Sequence, residues 1–329
     1  MNLNQLTIKS KDKILITGCA GFIGSNLTEF FLKKGVSVRG LDNLSTGFKN
    51  NIDDVLSEVS KYNKNIDFEF INGDIRNYND CLKSTRDIDI VLHQAALGSV
   101  QRSLENPLDS NSSNIDGTLN LLETSLKNNV KRFVYASSSS VYGDSVKLPK
   151  DETMPLNPKS IYAVTKLTAE YYCRLFYSLY GLKTISLRYF NVFGKRQSPD
   201  SIYSAVIPIF LKKISNGENP VIYGDGKQSR DFTHIDNVVY ANYLAAFSKN
   251  NKIFGNYYNV ACGYNISLNE IIAFLSKYFK IEIIPVYTKE RMGDVKHSLA
   301  SIKKIGKDLK YKPIIDFNEG LTTMLVKNH

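Results

Sequence analysis

Tyr162 and Lys166 stand four residues apart in Ser160-Ile-Tyr-Ala-Val-Thr-Lys166, roughly 20 residues after the serine run Ser137, Ser138, Ser139, Ser140. Four residues is about one helical turn, so both side chains leave one face of a helix. A free phenol titrates at about 10. A unit cation about 4 Å away, at an effective dielectric near 20, is worth roughly 4 kcal/mol, which is about three pK units. The spacing therefore predicts a tyrosine drawn toward ionisation, able to take a proton from a hydroxyl. An ordinary amphipathic helix can carry the same pair, so the reading depends on elements that bring a reacting partner to this turn.

Such elements stand at the other end of the chain. Lys13-Ile-Leu-Ile-Thr17 is an apolar run that reads as a buried strand. Gly18, Gly21 and Gly24 follow at three-residue spacing, and Ser25–Lys34 has helical periodicity. Side chains at that junction would keep a phosphate from the backbone N–H groups and the positive end of the helix. The strand–turn–helix context is the one a dinucleotide-binding turn requires. A second strand from Val36 to Leu41 ends in Asp42-Asn43, eighteen residues past Gly24. A carboxylate there accepts both hydroxyls of an adenosine ribose and repels a 2′-phosphate, so the reading is NAD and not NADP. Arg39, the one nearby arginine, lies inside the strand pattern. The third strand, Asp67–Asn72, ends in Gly73-Asp74-Ile75-Arg76, where Asp74 is placed to accept from the adenine amine. The fourth, Asp89–His93, ends in Gln94-Ala95-Ala96, small enough for the cofactor to pass over. His93 reads as a packed strand-end residue and not as a catalyst.

Alternating strands and helices run to about Arg188, which argues a doubly wound, Rossmann-type parallel sheet. Lys131–Ala136 is the expected fifth strand and Thr184–Phe190 the sixth, with a helix from about Pro107 to Asn129 between the fourth and fifth. Lys147–Pro158 is a proline-marked loop leading into the Tyr162 helix. The expected division is 1–190 for the dinucleotide domain, with 1–12 a polar leader, and 191–329 mainly for a smaller α/β substrate domain. Some of the second part, which includes the short strand Asn256–Val260 and helices near 267–278 and 317–327, must return to the main sheet. Lys195–Tyr203 is polar and reads as a lid.

Composition bounds the rest. The 329 residues suffice for a large core. No apolar run approaches the ~20 residues that span a bilayer, and no charged-then-apolar leader is evident. The net charge of +10 comes from lysines spread along the chain and not from a dense block, so an anionic cofactor and substrate are expected and nucleic acid is not. Cys19, Cys81, Cys173 and Cys262 form no C-x-x-C pair, which reads as a reduced, cytoplasmic protein. The histidines at 93, 234, 297 and 329 have no metal spacing, so no metal is expected.

Together these segments resemble the extended short-chain dehydrogenase/reductase family, and within it the nucleotide-sugar 4-epimerases, most of all those acting on UDP-N-acetylglucosamine. The resemblance is carried by Thr17–Gly24, Asp42–Gly47, His93–Ser99, Tyr162–Lys166, Leu187–Gly194 and Arg291–Asp294, and covers about Lys13 to Asn318. It implies a seven-stranded parallel sheet, a small C-terminal sugar-nucleotide domain, and a homodimer formed through two helices per subunit, roughly 106–129 and 160–180. Those helices can equally pack on their own sheet. It also adds Phe22, Ile23, Ser45, Thr46, Gly47, Ile75 and Tyr189 to the NAD residues, beside Tyr162 and Lys166.

The chemistry that the resemblance implies is inversion at C4 of a UDP-hexosamine. Tyr162 takes the C4 hydroxyl proton while hydride leaves that carbon, Ser138 bonds the same hydroxyl, and Lys166 bonds the nicotinamide ribose. The 4-keto sugar then turns and is reduced on its other face. Related dehydratases carry an aspartate and a glutamate three and two residues before the Tyr-Gly that follows the serine, and related decarboxylases a glutamate two before it. Ser139 and Ser140 occupy those places before Tyr142 and cannot act as carboxylates. Arg230 and Arg291 match the diphosphate-binding arginines, which suits the planar guanidinium fork. Asn191 matches a bridging asparagine and Asp294 a ribose-binding carboxylate, while Ala205, Val206 and Tyr223 fall where uridine is expected. Ser298 stands where epimerases restricted to unacetylated sugars have a tyrosine, which leaves room for a 2-acetamido group. Ser99, Arg102 and Ser140 are expected to line the same pocket. A 6-carboxylated sugar stays open as the alternative.

Overall fold

The computed structural model describes residues 2–198, 206–290 and 296–325. Six strands follow in chain order: β1 (Ile14–Thr17), β2 (Val38–Asp42), β3 (Phe68–Asn72), β4 (Ile90–His93), β5 (Arg132–Ser138) and β6 (Thr184–Tyr189). With Asn256–Val260 they form one seven-stranded sheet, in the order Asn256–Val260, β6, β5, β4, β1, β2, β3. Every pairing is parallel. The returning strand that the sequence requires is therefore Asn256–Val260, at the sheet edge beside β6.

The sheet is covered on both faces, as an all-parallel sheet must be. Alternation along each strand divides the core. Ile14, Ile16, Val38, Leu92, Val134 and Leu187 face one side, and Leu15, Leu41, Val91, Phe133 and Tyr135 the other. The first side is covered by α1 (Phe22–Lys33), α2 (Lys49–Ser60) and the helix Ile235–Phe247, through Leu27, Phe31, Val55, Val59, Val238 and Ala245. The second is covered by α3 (Tyr78–Thr85), a run made of α4 (Val100–Glu105), α5 (Pro107–Asn111), a π turn at Ser112–Asp116 and α6 (Gly117–Lys127), and α7 (Ile161–Tyr180). Cys81, Leu121, Leu122, Ala169, Cys173 and Phe176 fill that layer.

Two segments differ from the sequence expectation. β5 continues through Ser137 and Ser138, because those serines pair with Arg188 and Tyr189 of β6. Serine is a poor strand former alone, and register with a central neighbour overrides that. The leader is not free of the fold either: Leu6 is 5% exposed in the first core layer, and Asn4 accepts from Lys34 Nζ at 2.9 Å.

A third apolar cluster lies beyond the sheet. Phe193, Ile207, Phe210, Ile222, Phe232, Leu268, Ile271 and Phe317 pack together there, drawn from the helices Val206–Ser215, Leu268–Phe279 and Phe317–Leu325 and the short segments between them.

Candidate active site

The sheet order reverses between β1 and β4, and in open α/β sheets ligands bind outside the strand ends at that point. A groove opens there. Its walls are Gly18, Gly21, Phe22, Ile23 and Gly24 after β1; Asp42, Asn43, Ser45, Thr46 and Gly47 after β2; Asp74 and Ile75 after β3; and Gln94, Ala95 and Ala96 after β4. Leu41, Gly73, Leu97, Gly98 and Ser113 complete the lining. Sequence reasoning missed these five. Ser113 comes from the π turn, and nothing local in the sequence announces it.

The first turn fits a phosphate group. A Cβ on Gly24 would stand 2.0 Å from the Gly18 carbonyl oxygen, and one on Gly18 (φ +68°) would stand 2.8 Å from the Ala95 nitrogen. α1 begins at Gly21 with no side-chain cap, so the N–H groups of its first turn meet no side-chain acceptor of the protein. Asp42 accepts from Ala20 N at 2.9 Å and Leu44 N at 2.8 Å. Burial raises its pKa against those two bonds. A carboxylate has about four lone-pair positions, so it holds the turn and keeps acceptor capacity for ribose hydroxyls. Arg39 points elsewhere: it pairs with Glu69 at 2.8 Å and donates to the Ser84 and Arg86 carbonyls. Asp74 is held by Arg76 at 2.7 Å and accepts from Asn43 at 2.9 Å.

The floor of the groove is braced from beneath. Thr17 Oγ1 accepts from the N–H groups of Gln94 (3.2 Å) and Ala95 (3.1 Å) and lies 2.7 Å from His93 Nδ1. On the other side His93 Nε2 lies 2.9 Å from Thr118 Oγ1, whose proton goes to the Asn114 carbonyl at 2.7 Å. Nε2 therefore carries the histidine proton and Nδ1 accepts from Thr17. Burial pushes His93 down to about 3, with the Lys166 charge adding to it, so it is neutral and structural.

Ser138, Tyr162 and Lys166 come together at the carboxyl end of β5. α7 starts at Ser160, which caps it by accepting from Ala163 N at 3.1 Å. Tyr162 lies in the first turn and its own N–H donates to Ser103 Oγ of α4 at 3.1 Å. Ser138 draws the Tyr162 hydroxyl toward ionisation and accepts from Ser140 N at 3.2 Å and Ser140 Oγ at 2.9 Å. Lys166, 4% exposed, donates to the Ala136 carbonyl at 2.8 Å. Its ammonium lies 5.9 Å from the centre of the Tyr162 ring.

The charge states differ from the simple expectation of a lysine lowering a phenol. Burial is the largest influence on both groups. It raises Tyr162 above its ordinary value, against the Ser138 hydrogen bond, and it pushes Lys166 down to about 7. In the protein alone the phenol keeps its proton and the amine titrates near neutrality, so a positive partner beside the phenol oxygen favours the phenolate. The tyrosine predicted for the cofactor set from Leu187–Asn191, Tyr189, does not line the groove. Its hydroxyl donates to Gln94 Oε1 at 3.2 Å and accepts from Asn242 at 2.8 Å, so it acts on the groove through Gln94.

A second cavity of about 420 Å³ opens where β6 ends. Asn191, Val206, Tyr223 and Arg230 line it as expected, with Phe193, Phe210, Gln228, Phe232 and Leu268. Ser138 is paired with Tyr189, and Asn191 follows two residues later, so this cavity begins beside the Ser138 end of β5. Asn191 donates to the Asp231 carbonyl at 3.1 Å. Ser298 is buried next to this wall, its N–H on the Ser229 carbonyl at 3.0 Å. Ala205, Arg291 and Asp294 lie outside the described residues. Ser99 caps α4, accepting from Arg102 N at 3.3 Å, with φ at +105°. Arg102 lies with Asn43, Ser45 and Thr46 at a neighbouring depression and not with Ser298, which departs from the expectation.

The model of the NAD dependent epimerase/dehydratase family matches residues 14–261. The chain belongs to this family. NAD is its cofactor, and the groove built on Gly18, Gly24 and Asp42 is suited to hold it. Among family relatives, the chain is 38% identical over 310 residues to a putative UDP-glucose 4-epimerase of Methanocaldococcus jannaschii, covering 94% of this chain and 95% of the relative. Among solved structures, it is 37% identical to the UDP-N-acetylglucosamine 4-epimerase of Methanobrevibacter ruminantium M1, solved with UDP-N-acetylmuramic acid, at a TM-score of 0.88 over 97% of this chain and 100% of the other. It is 32% identical to the UDP-glucuronic acid 4-epimerase of Bacillus cereus, solved with UDP-glucuronic acid and NAD, at a TM-score of 0.86 over 96% and 100% of the two chains. Among the described residues of this family member, no helix is long and apolar enough to cross a membrane, and no group of three or more His, Cys, Asp or Glu is placed to hold a metal ion.

Proposed function

We propose that this NAD-dependent enzyme, of the UDP-sugar 4-epimerase kind, interconverts UDP-N-acetylglucosamine and UDP-N-acetylgalactosamine. The observation that carries the reaction type is the meeting of Ser138, Tyr162 and Lys166 at the end of β5, with serines at 139 and 140 where elimination would need carboxylates. Tyr162 holds and returns the C4 hydroxyl proton, and Ser138 orients that hydroxyl. Lys166 takes the charge that balances the phenolate. Arg230 and Asn191 grip the diphosphate side, and Val206 and Tyr223 form the base pocket. Bound NAD supplies the hydride acceptor and, when oxidised, the positive charge that favours the phenolate.

The acetylated sugar is favoured by Ser298, where a small side chain leaves room for the 2-acetamido group. Incubating purified protein with UDP-N-acetylglucosamine and separating the products is the direct test, and the absence of the galacto isomer would count against the reading. Ser298→Tyr is expected to lower turnover of the acetylated pair at least 10-fold and to leave UDP-glucose turnover within about 3-fold, since a lost pocket fit is worth roughly 1–3 kcal/mol. Equal loss on both sugars would remove the gate. The second reading, a uronic sugar, is favoured by the likeness to the Bacillus cereus enzyme, so UDP-glucuronic acid belongs in the same panel.

The proposed assembly is a homodimer through α7 and the α4–α5 run. Val164, Tyr171 and Leu175 make an exposed apolar stripe on α7 at helical spacing, and Leu104 and Leu108 are exposed on the neighbouring helices. Leu175→Lys is expected to shift the protein from dimer to monomer in light scattering. A wild-type mass of one chain would sink this assembly.

A further inference from the structure

Lys166, once protonated, is a buried cation with no anion against it. Among the described residues it makes no ion pair, and its one hydrogen bond goes to the Ala136 carbonyl. The groups around it are Tyr162, Glu170 and Cys173 on its own helix, Tyr135 on β5 and His93 on β4. Glu170 is occupied by Arg188 and Ser137. Burial pushes the Cys173 thiol up and His93 down, so both are neutral. The strongest remaining partner is an aromatic face. Lys166 Nζ lies 5.1 Å from the centre of the Tyr135 ring, closer than the 5.9 Å to Tyr162. Both are inside the ~6 Å within which a cation is attracted by a ring quadrupole.

Tyr135 itself is unusual. It is 1% exposed, and its hydroxyl has no hydrogen-bond partner among the described residues. A buried hydroxyl left unpaired is unfavourable, so the hydroxyl does not explain the residue and the ring does. The ring packs at 5.6 Å from the His93 ring, which fixes it between β4 and α7.

We infer that Tyr135 is a positioning residue for Lys166, its ring face holding the ammonium charged and in place while Tyr162 gives and takes the sugar proton. The inference rests on the proposed 4-epimerase reading. Removing the face withdraws attraction from the protonated lysine only, so the lysine loses its proton at a lower pH. The alkaline limb of the pH–rate profile then moves down. A desolvated cation–π contact is worth ~2 kcal/mol, which corresponds to a shift of about 1.5 pH units and to roughly 30-fold in rate.

The test compares wild type, Tyr135→Phe and Tyr135→Leu for kcat, KM and the pH profile, with retained NAD measured on each protein. Tyr135→Phe keeps the face and is expected to rescue the wild-type profile. Tyr135→Leu is expected to lose roughly 30-fold in kcat, with its alkaline limb about 1.5 pH units lower and KM within about 2-fold. A wild-type limb in Tyr135→Leu overturns the inference, and so does a Phe variant that behaves like Leu, because the hydroxyl would then be the acting group. If Tyr135→Leu does not fold, fluorinated phenylalanines at position 135 weaken the face without changing its shape. A limb that stays fixed as fluorines are added overturns the inference. If wild type lacks 4-epimerase activity but holds NAD, the functional reading fails and not this contact.

Discussion

Tyr162→Phe is expected to keep the fold and its NAD and to lose turnover by roughly 10²–10⁴-fold, the range for removing a positioned acid–base group. The substitution deletes one oxygen. The ring that lies near Lys166 remains, and the groove residues after β1 to β4 are untouched. What disappears is the hydroxyl on which Ser138 acts. The pair of Tyr162 and Lys166 carries one exchangeable proton over a wide pH range, because burial raises the phenol and lowers the amine to about 7. Such a pair titrates as a unit. Forming the reactive phenolate moves that proton from oxygen to nitrogen without exchange with solvent. In Tyr162→Phe the amine has no proton to receive. Turnover under saturating UDP-sugar, together with NAD content after purification, checks the expectation. A variant with more than a tenth of wild-type turnover would show that another group carries the proton.

The dinucleotide groove was legible in the sequence because its determinants are local. Glycines at the end of β1, an acid at the end of β2 and small residues after β4 are read within a few positions of strands that announce themselves by composition. Each strand-end residue assigned to NAD lines the groove for that reason, apart from those on α7 and β6. Tyr189 was drawn in by its motif, yet a strand residue faces one side only, and its side turns the ring toward Asn242 and the helix Ile235–Phe247. What the sequence did not disclose depends on distant partners. Ser113 reaches the groove only because a π turn interrupts the helix before α6. Arg102 looked like a sugar-side cation, and the short α4 carries it to Asn43 and Thr46 instead. Leu6 belongs to a leader that composition marks as polar, yet it is buried, with Leu3 and Ile8 packed against the same core layer. The charge states at Tyr162 and Lys166 were misjudged in sign for the phenol, because spacing reports a neighbour and says nothing of how much water is excluded from both.

Glu170→Gln is expected to destabilise the protein by about 3–5 kcal/mol, the range for breaking a buried ion pair from one side. Glu170 stands one turn beyond Lys166 on α7. It meets Arg188 of β6 through two contacts, at 2.5 and 3.0 Å, with side-chain exposures of 3% and 0%. The same carboxylate accepts from Ser137 at 2.9 Å, the residue before Ser138. On its far side Arg188 donates to the Tyr142 hydroxyl at 2.8 Å, which donates in turn to Asn259 at 2.7 Å. The chain of bonds therefore ties α7 to β5, to β6, to the turn after the serine run and to the edge strand. Glutamine keeps the shape of Glu170 but removes its charge, and leaves a guanidinium buried against dipoles alone. Urea denaturation of wild type and variant measures the difference. Replacing both partners, Glu170→Met with Arg188→Met, should recover much of the loss, since no buried charge is then left uncompensated. A single variant that costs under about 1 kcal/mol would mean that water reaches Arg188 in solution. In that case the ion pair would not be what fixes Ser138 against Tyr162, and the alignment of the catalytic serine would have to come from the β5–β6 register, in which Ser138 stands opposite Tyr189.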